Sequence, residues 1–105
     1  MRFKVVWSDF ADERIDEIFE YYKTEAGLKI AKKLVLNLIK APNILIDNPN
    51  VGQMEDLLIG RKEKYRYLLH NNYKIIYSVD TGKRHIKIAD VFDTRQNPIK
   101  IVRNK

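Results

Sequence analysis

Residues 65–80, YRYLLHNNYKIIYSVD, decide how this chain folds. Two runs of β-branched and aromatic residues flank Asn71-Asn72, and asparagine tolerates positive φ, so the dipeptide reads as a two-residue hairpin turn. With Asn71 and Asn72 as the loop, His70 opposes Tyr73, Leu69 opposes Lys74, Leu68 opposes Ile75, and Tyr67 opposes Ile76. Residues opposite one another share a face of the sheet. One face then carries Leu68, His70, Ile75 and Tyr77, and suits packing beneath helices. The other carries Tyr65, Tyr67, Leu69, Lys74 and Ile76, and reads as an exposed working face. After the turn DTGKR, where Gly82 is able to take positive φ, IKIADVF makes a third strand-like run.

Upstream of this meander the period changes. FKVVW, Phe3 to Trp7, reads as a short strand. Ser8 or Asp9 can cap a helix, after which Ala11, Ile15, Ile18, Phe19 and Tyr22 recur at helical spacing. Acidic residues in its first turns suit the helix dipole. A second helix is expected from about Ala26 to Lys40, with Ile30, Ala31, Leu34, Leu38 and Ala41 as its apolar stripe. Pro42 cannot donate to Leu38, so that helix should kink or restart before ILIDNP, and Pro49 and Gly52 mark a break. With no repeats or linkers, residues 1–105 read as one α+β domain. An N-terminal strand and two antiparallel helices pack on an antiparallel sheet that the three-stranded meander completes.

Composition narrows the chemistry. The 105 residues include no cysteine, which excludes disulfides and thiolate metal sites. Lys and Arg total 20 against 14 Asp and Glu, a formal charge of +6 that favours polyanions or an acidic protein partner. The first apolar run is too short for a signal peptide or a membrane span, so a cytoplasmic protein with no membrane association is expected. His70 and His85 have no carboxylates at ligand spacing, and Ser8 and Ser78 have no nucleophile–base arrangement. No metal site, phosphate-cradling glycine loop or cofactor is expected.

The basic run GRKEKYR, with Arg61, Lys62, Lys64 and Arg66, sits just before the working face, where cations interleaved with aromatics suit phosphates and bases. VFDTRQNP, Val91 to Pro98, begins as a buried strand and ends in polar residues. It is expected to deliver Arg95 to the same face, with Pro98 stopping further pairing. The competing reading pairs Arg95 with Asp90 or Asp93.

The paired helices followed by NPNVGQMEDLL, YRYLLHNNYKIIY and VFDTRQNP, in that order, resemble the RelE/ParE superfamily of type II toxin–antitoxin toxins, also known as plasmid stabilisation proteins. The resemblance covers essentially the whole chain. It implies a small basic growth inhibitor held silent by an acidic antitoxin encoded beside it. The target would be mRNA on the ribosome or DNA gyrase. On the first alternative, the toxin is a ribosome-dependent endoribonuclease that blocks translation by driving a 2′-hydroxyl onto the adjacent phosphate. Lys74 and Arg95 match basic positions of the nuclease site, and Tyr65 and Tyr67 stand where RelE proper has two lysines. Either tyrosine would have to serve as base. Ile99 and Ile101 occupy the region where some relatives carry a tyrosine or histidine. On the second alternative, the chain inhibits gyrase by binding, without catalysis; a degenerate toxin would retain only antitoxin binding. The basic run 61–66 would anchor nucleic acid or antitoxin.

Overall fold

The β-branched run after Phe3 forms strand β1, Lys4–Trp7, and Ser8 then caps helix α1, Asp9–Ala26. The Ser8 hydroxyl accepts the Ala11 N–H at 3.1 Å, satisfying one of the amides that a helix start leaves without a partner. The computed structural model describes residues 2–102. Helix α1 stops at Gly27, whose φ of +98° is open to glycine and strained for other residues. The chain turns there directly into α2, Leu28–Lys40. At Pro42 the α-helix gives way to a 3-10 turn, Ala41–Ile46, as the missing N–H requires.

Strands β2 (Gln53–Met54), β3 (Arg66–His70), β4 (Tyr73–Asp80) and β5 (His85–Asp93) complete a sheet of order β1-β5-β4-β3-β2. The α+β class and the helices on one face stand. The sheet is mixed, however, because β1 pairs in parallel with β5 while the other pairs are antiparallel. After the helical hairpin the chain enters at the far edge and builds back, so β5 arrives last, beside β1. Strand β2 had no signal in the sequence, being only two residues long.

The β3–β4 register is the one read from Asn71-Asn72, with Leu68 opposite Ile75 and Tyr67 opposite Ile76. Asn71 takes the positive φ, +53°. In the second turn the positive φ falls on Arg84, at +56°, and not on Gly82. The Asp80 carboxylate accepts the Lys83 N–H at 3.1 Å there and helps to close the turn.

Beneath the helices, Ala11, Ile15, Leu38 and Leu45 pack on Tyr73, Ile75, Tyr77, Ile86, Ile88 and Val91. Burial of each large side chain contributes roughly 1.5–3 kcal/mol. Ile30 lies outside this stripe, being 55% exposed: one residue before Ala31, it points about 100° away around the helix. The opposite face is not open around Ile76. A second cluster of Leu58, Ile76, Phe92 and Ile101 is sealed there by 3-10 turns at Asp56–Leu58 and Pro98–Val102. Neither turn shows a periodicity long enough to announce it.

One irregularity sets which residues face which layer. Pairing between β4 and β5 runs Ile75 with Val91 and Ile76 with Asp90, then shifts to Tyr77 with Ile88, leaving Ala89 as an extra residue in β5. This β-bulge exchanges the two faces of β5 at that point. Ile86 and Ile88 before it, and Val91 after it, all reach the helix-side core. Ser8 holds the bulge from β1: its N–H donates to the Ile88 carbonyl at 3.0 Å and its hydroxyl to the Ala89 carbonyl at 3.3 Å.

The segment before β2 is tied down by a buried tyrosine. The Tyr77 hydroxyl accepts the Gly52 N–H and donates to the Pro49 carbonyl, both at 2.9 Å. Arg66 Nη1 donates to the carbonyls of Asn50 and Gly52. A Cβ at Gly52 would lie 2.4 Å from the Tyr77 hydroxyl oxygen and 2.8 Å from the Tyr67 carbonyl, and the second contact is with backbone that cannot step aside. Gly52→Ala is therefore expected to lower stability by about 1–3 kcal/mol in urea unfolding. Gly82→Ala, with its nearest neighbour at 3.4 Å, should stay within about 0.5 kcal/mol. Equal midpoints for the two variants would remove the Tyr77 anchor from this account.

Candidate functional site

Lys74 projects from β4 on the face away from the helices, but it is not a free cation. Its ammonium donates to Glu55 Oε1 at 2.8 Å and lies 4.3 Å from the centre of the Tyr67 ring. Glu55 is 3% exposed, and its other oxygen accepts the Leu57 N–H at 3.2 Å. The pair thus pins the Asp56–Leu58 turn onto the second core. Tyr67 completes the arrangement by donating its hydroxyl to Gln53 of β2 at 3.0 Å. The sequence reading missed Glu55 because nothing local marks a carboxylate that folds back over the sheet.

Arg95 is on the other side of the sheet. Asp93 pairs with Tyr73 and faces the helices, and Arg95 forks onto it: Nε and Nη2 donate to the carboxylate at 3.0 and 2.8 Å. Asn72 Nδ2 and the Arg95 N–H also donate to Asp93 Oδ1, locking the chain after β5 to the hairpin turn. The intramolecular partner foreseen as the competing reading is therefore present, and Arg95 does not join Lys74. Hydrogen bonding from Arg95 holds the Asp93 carboxyl down at about 2, and Asp93 in turn raises the guanidinium. Together with Arg14, Ile18 and Tyr21 of α1, and with Tyr73 and Val91, the pair borders a cavity of about 400 Å³.

Tyr65, one of the two tyrosines offered as a base, is poorly placed for proton abstraction. Burial, then the hydrogen bond to Glu63 at 3.0 Å, pushes Tyr65 up to about 12. A lowered value was needed. Tyr73, beside Arg95, is raised as well, first by burial and then by hydrogen bonding to Tyr22.

The basic run divides. Arg66 is committed to the carbonyls of Asn50 and Gly52, whereas Arg61, Lys62 and Lys64 are exposed. Between them Glu63 turns inward to Lys87 of β5, with Ser78 and Tyr65 donating to the same carboxylate. The Lys87 hydrogen bond is the main reason Glu63 is held below the usual carboxylate range. Lys87 was legible, since it alternates outward between Ile86 and Ile88.

Two expectations follow. Lys74→Ala leaves the Glu55 carboxylate buried alone and should cost about 3 kcal/mol, whereas Lys74→Met combined with Glu55→Gln recovers most of that loss; urea unfolding measures both. If Lys74→Ala proves as stable as the parent, the buried pair is not structural. The second concerns acid. A carboxyl with a folded-state pKa below its unfolded value of about 4 contributes stability that is fully present above that pH. The contribution is lost as pH falls through about 2, the value to which Asp93 is held. Asp93→Asn should accordingly flatten the acid limb of a melting-temperature profile between about pH 4 and 2. Parallel acid limbs for parent and variant would contradict the pairing.

The fold has a counterpart among solved structures. A chain from the chromosomal ParDE toxin–antitoxin system of P. aeruginosa superposes with a TM-score of 0.71 at 19% identity, over 87% of this chain and 95% of that one. At that identity the likeness is one of fold. No curated protein is similar enough to match. The model of the family described as the ParE toxin of type II toxin-antitoxin system, parDE, matches residues 5–98, from β1 through the turn that follows Arg95. With the helical hairpin, the β3–β4 turn and the end of β5 all inside that match, the chain belongs to the ParE toxin family of type II toxin–antitoxin systems.

Proposed function

We propose that this toxin acts by binding DNA gyrase, without a catalytic step of its own, and that an acidic antitoxin encoded beside it holds it silent in the cytoplasm. One observation carries the reading. The two cations that a ribonuclease would bring to one phosphate, Lys74 and Arg95, lie on opposite faces of the sheet, each engaged by a carboxylate. Stabilising a growing oxyanion needs donors already aimed at it, and removing one such donor typically costs roughly 10²-fold or more in rate. Here neither donor is free and they do not converge. Tyr65, raised to about 12, supplies no base at neutral pH. Family membership favours the same choice, because ParE-like toxins are the gyrase-directed branch of the resemblance.

The test is a paired assay with purified toxin. Incubated with gyrase and plasmid DNA, it should block supercoiling and leave protein-linked, cleaved DNA. In a translation extract, ribosome-bound mRNA should stay intact. Cleaved mRNA with gyrase untouched would reverse the proposal. No effect in either arm, from a folded protein, would leave only antitoxin binding.

A further inference from the structure

The basic surface around Glu63 and Lys87 has neither Lys74 nor Arg95 among its lining residues. Three adjoining cavities on the face away from the helices, of about 640, 520 and 220 Å³, share Glu63 and Lys87 as lining residues. They run together as one groove from Asn50 and Arg66 past Tyr65 to Ser8. Five cations line it (Arg61, Lys62, Lys64, Arg66 and Lys87), against the two carboxylates Glu63 and Asp80. Arg61, Lys62 and Lys64 are exposed and have no ion pair among the described residues. Thr81 adds an exposed hydroxyl, whereas those of Ser8 and Ser78 already donate to the Ala89 carbonyl and to Glu63.

We propose that this groove binds the phosphate backbone of duplex DNA, so that the toxin holds the DNA on which its target works. Three features select that partner. The charge is segregated: α1 holds seven of the chain's 14 carboxylates and only two of its 20 Lys and Arg, which leaves 18 cations against seven carboxylates elsewhere. The groove also lacks apolar anchors. A docked peptide helix or strand needs them, yet the exposed large hydrophobics, among them Leu28, Leu36, Ile44 and Leu69, all lie outside its lining. Single-stranded nucleic acid, for its part, binds on successive free aromatic rings. The groove offers one ring, Tyr65, with its hydroxyl held by Glu63. Exposed lysine and arginine side chains without a stacking platform suit sequence-independent contact with a duplex backbone.

The proposal draws on the gyrase reading only for the purpose of the contact; the binding itself is measured with toxin and DNA alone. Fluorescence anisotropy with a labelled duplex of arbitrary sequence is the direct test. Neutralising about three phosphates predicts that affinity falls roughly 40-fold between about 50 and 200 mM salt. Lys62→Glu with Lys64→Glu should weaken binding by about 10-fold or more and flatten the salt slope by about 2, with an unchanged melting temperature. Lys33→Glu, on the exposed side of α2, should change neither. Absence of duplex binding at low salt, indifference to the double substitution, or clear preference for single-stranded RNA would each overturn the proposal. Trapping of cleaved DNA by gyrase is scored separately: an inactive toxin that still binds duplex through Lys62 and Lys64 removes the gyrase reading and keeps the groove.

Discussion

The extra residue in β5 is the constraint on which the arrangement of this molecule turns. Side chains of a strand alternate between faces, so one unpaired residue exchanges everything beyond it. Before Ala89, Ile86 and Ile88 face the helices; after it, Val91 and Asp93 do. Without the bulge, Asp90 would enter the helix-side core and Val91 would leave it. Phe92 would lose its place beside Ile76, Leu58 and Ile101 in the second cluster. The bulge thereby lets both faces of one strand be apolar where each is covered. Its hydrogen bonds to Ser8 tie that irregularity to the start of α1, coupling the parallel strand pair to the helical layer.

The same shift governs the electrostatics. Asp93 is carried to the helix side, and Arg95, two residues on, follows its carboxylate there. Lys74 stays on the other side and is spent on Glu55, where it offsets a buried charge and fastens a turn. A buried pair of this kind is weak evidence for net stability, but breaking it by removing one partner is costly. Among the cations near this face, Arg61, Lys62 and Lys64 stay exposed and outside any ion pair of the described residues. They stand on a loop beside the sheet, and Glu63 among them is drawn inward to Lys87.

For a member of a toxin family this division of labour has a plain consequence. Catalysis on a phosphodiester demands convergent, unengaged donors held to within a fraction of an ångström. Binding a partner demands exposed charge and shape over a wider area. Lys74, Lys87 and Arg95 are engaged by carboxylates of the fold, whereas Arg61, Lys62 and Lys64 stand exposed without such a partner among the described residues. That distribution is the physical ground for the proposal that this toxin acts by holding a partner.

Much of this was legible in the sequence alone. The hairpin register at Asn71-Asn72, the Ser8 cap, the helix stop at Pro42 and the order of elements all follow from local rules: turn chemistry, the missing proline N–H and the period of the apolar residues. So did the family resemblance, which depends on order and composition. The placement of the site residues was not settled by such rules. The run IKIADVF admits two alternations, one through Ile86, Ile88 and Phe92 that carries Asp90 with it, and one through Ala89 and Val91 that carries Lys87. Only packing on two covered faces at once, with Ser8 gripping the carbonyls of Ile88 and Ala89, selects the bulged switch between them. Glu55, Leu58 and Ile101 likewise reach their places by non-local contacts of short segments with no period to read. Local propensity determined the elements; closure of the two cores decided which side of the sheet each charge would occupy.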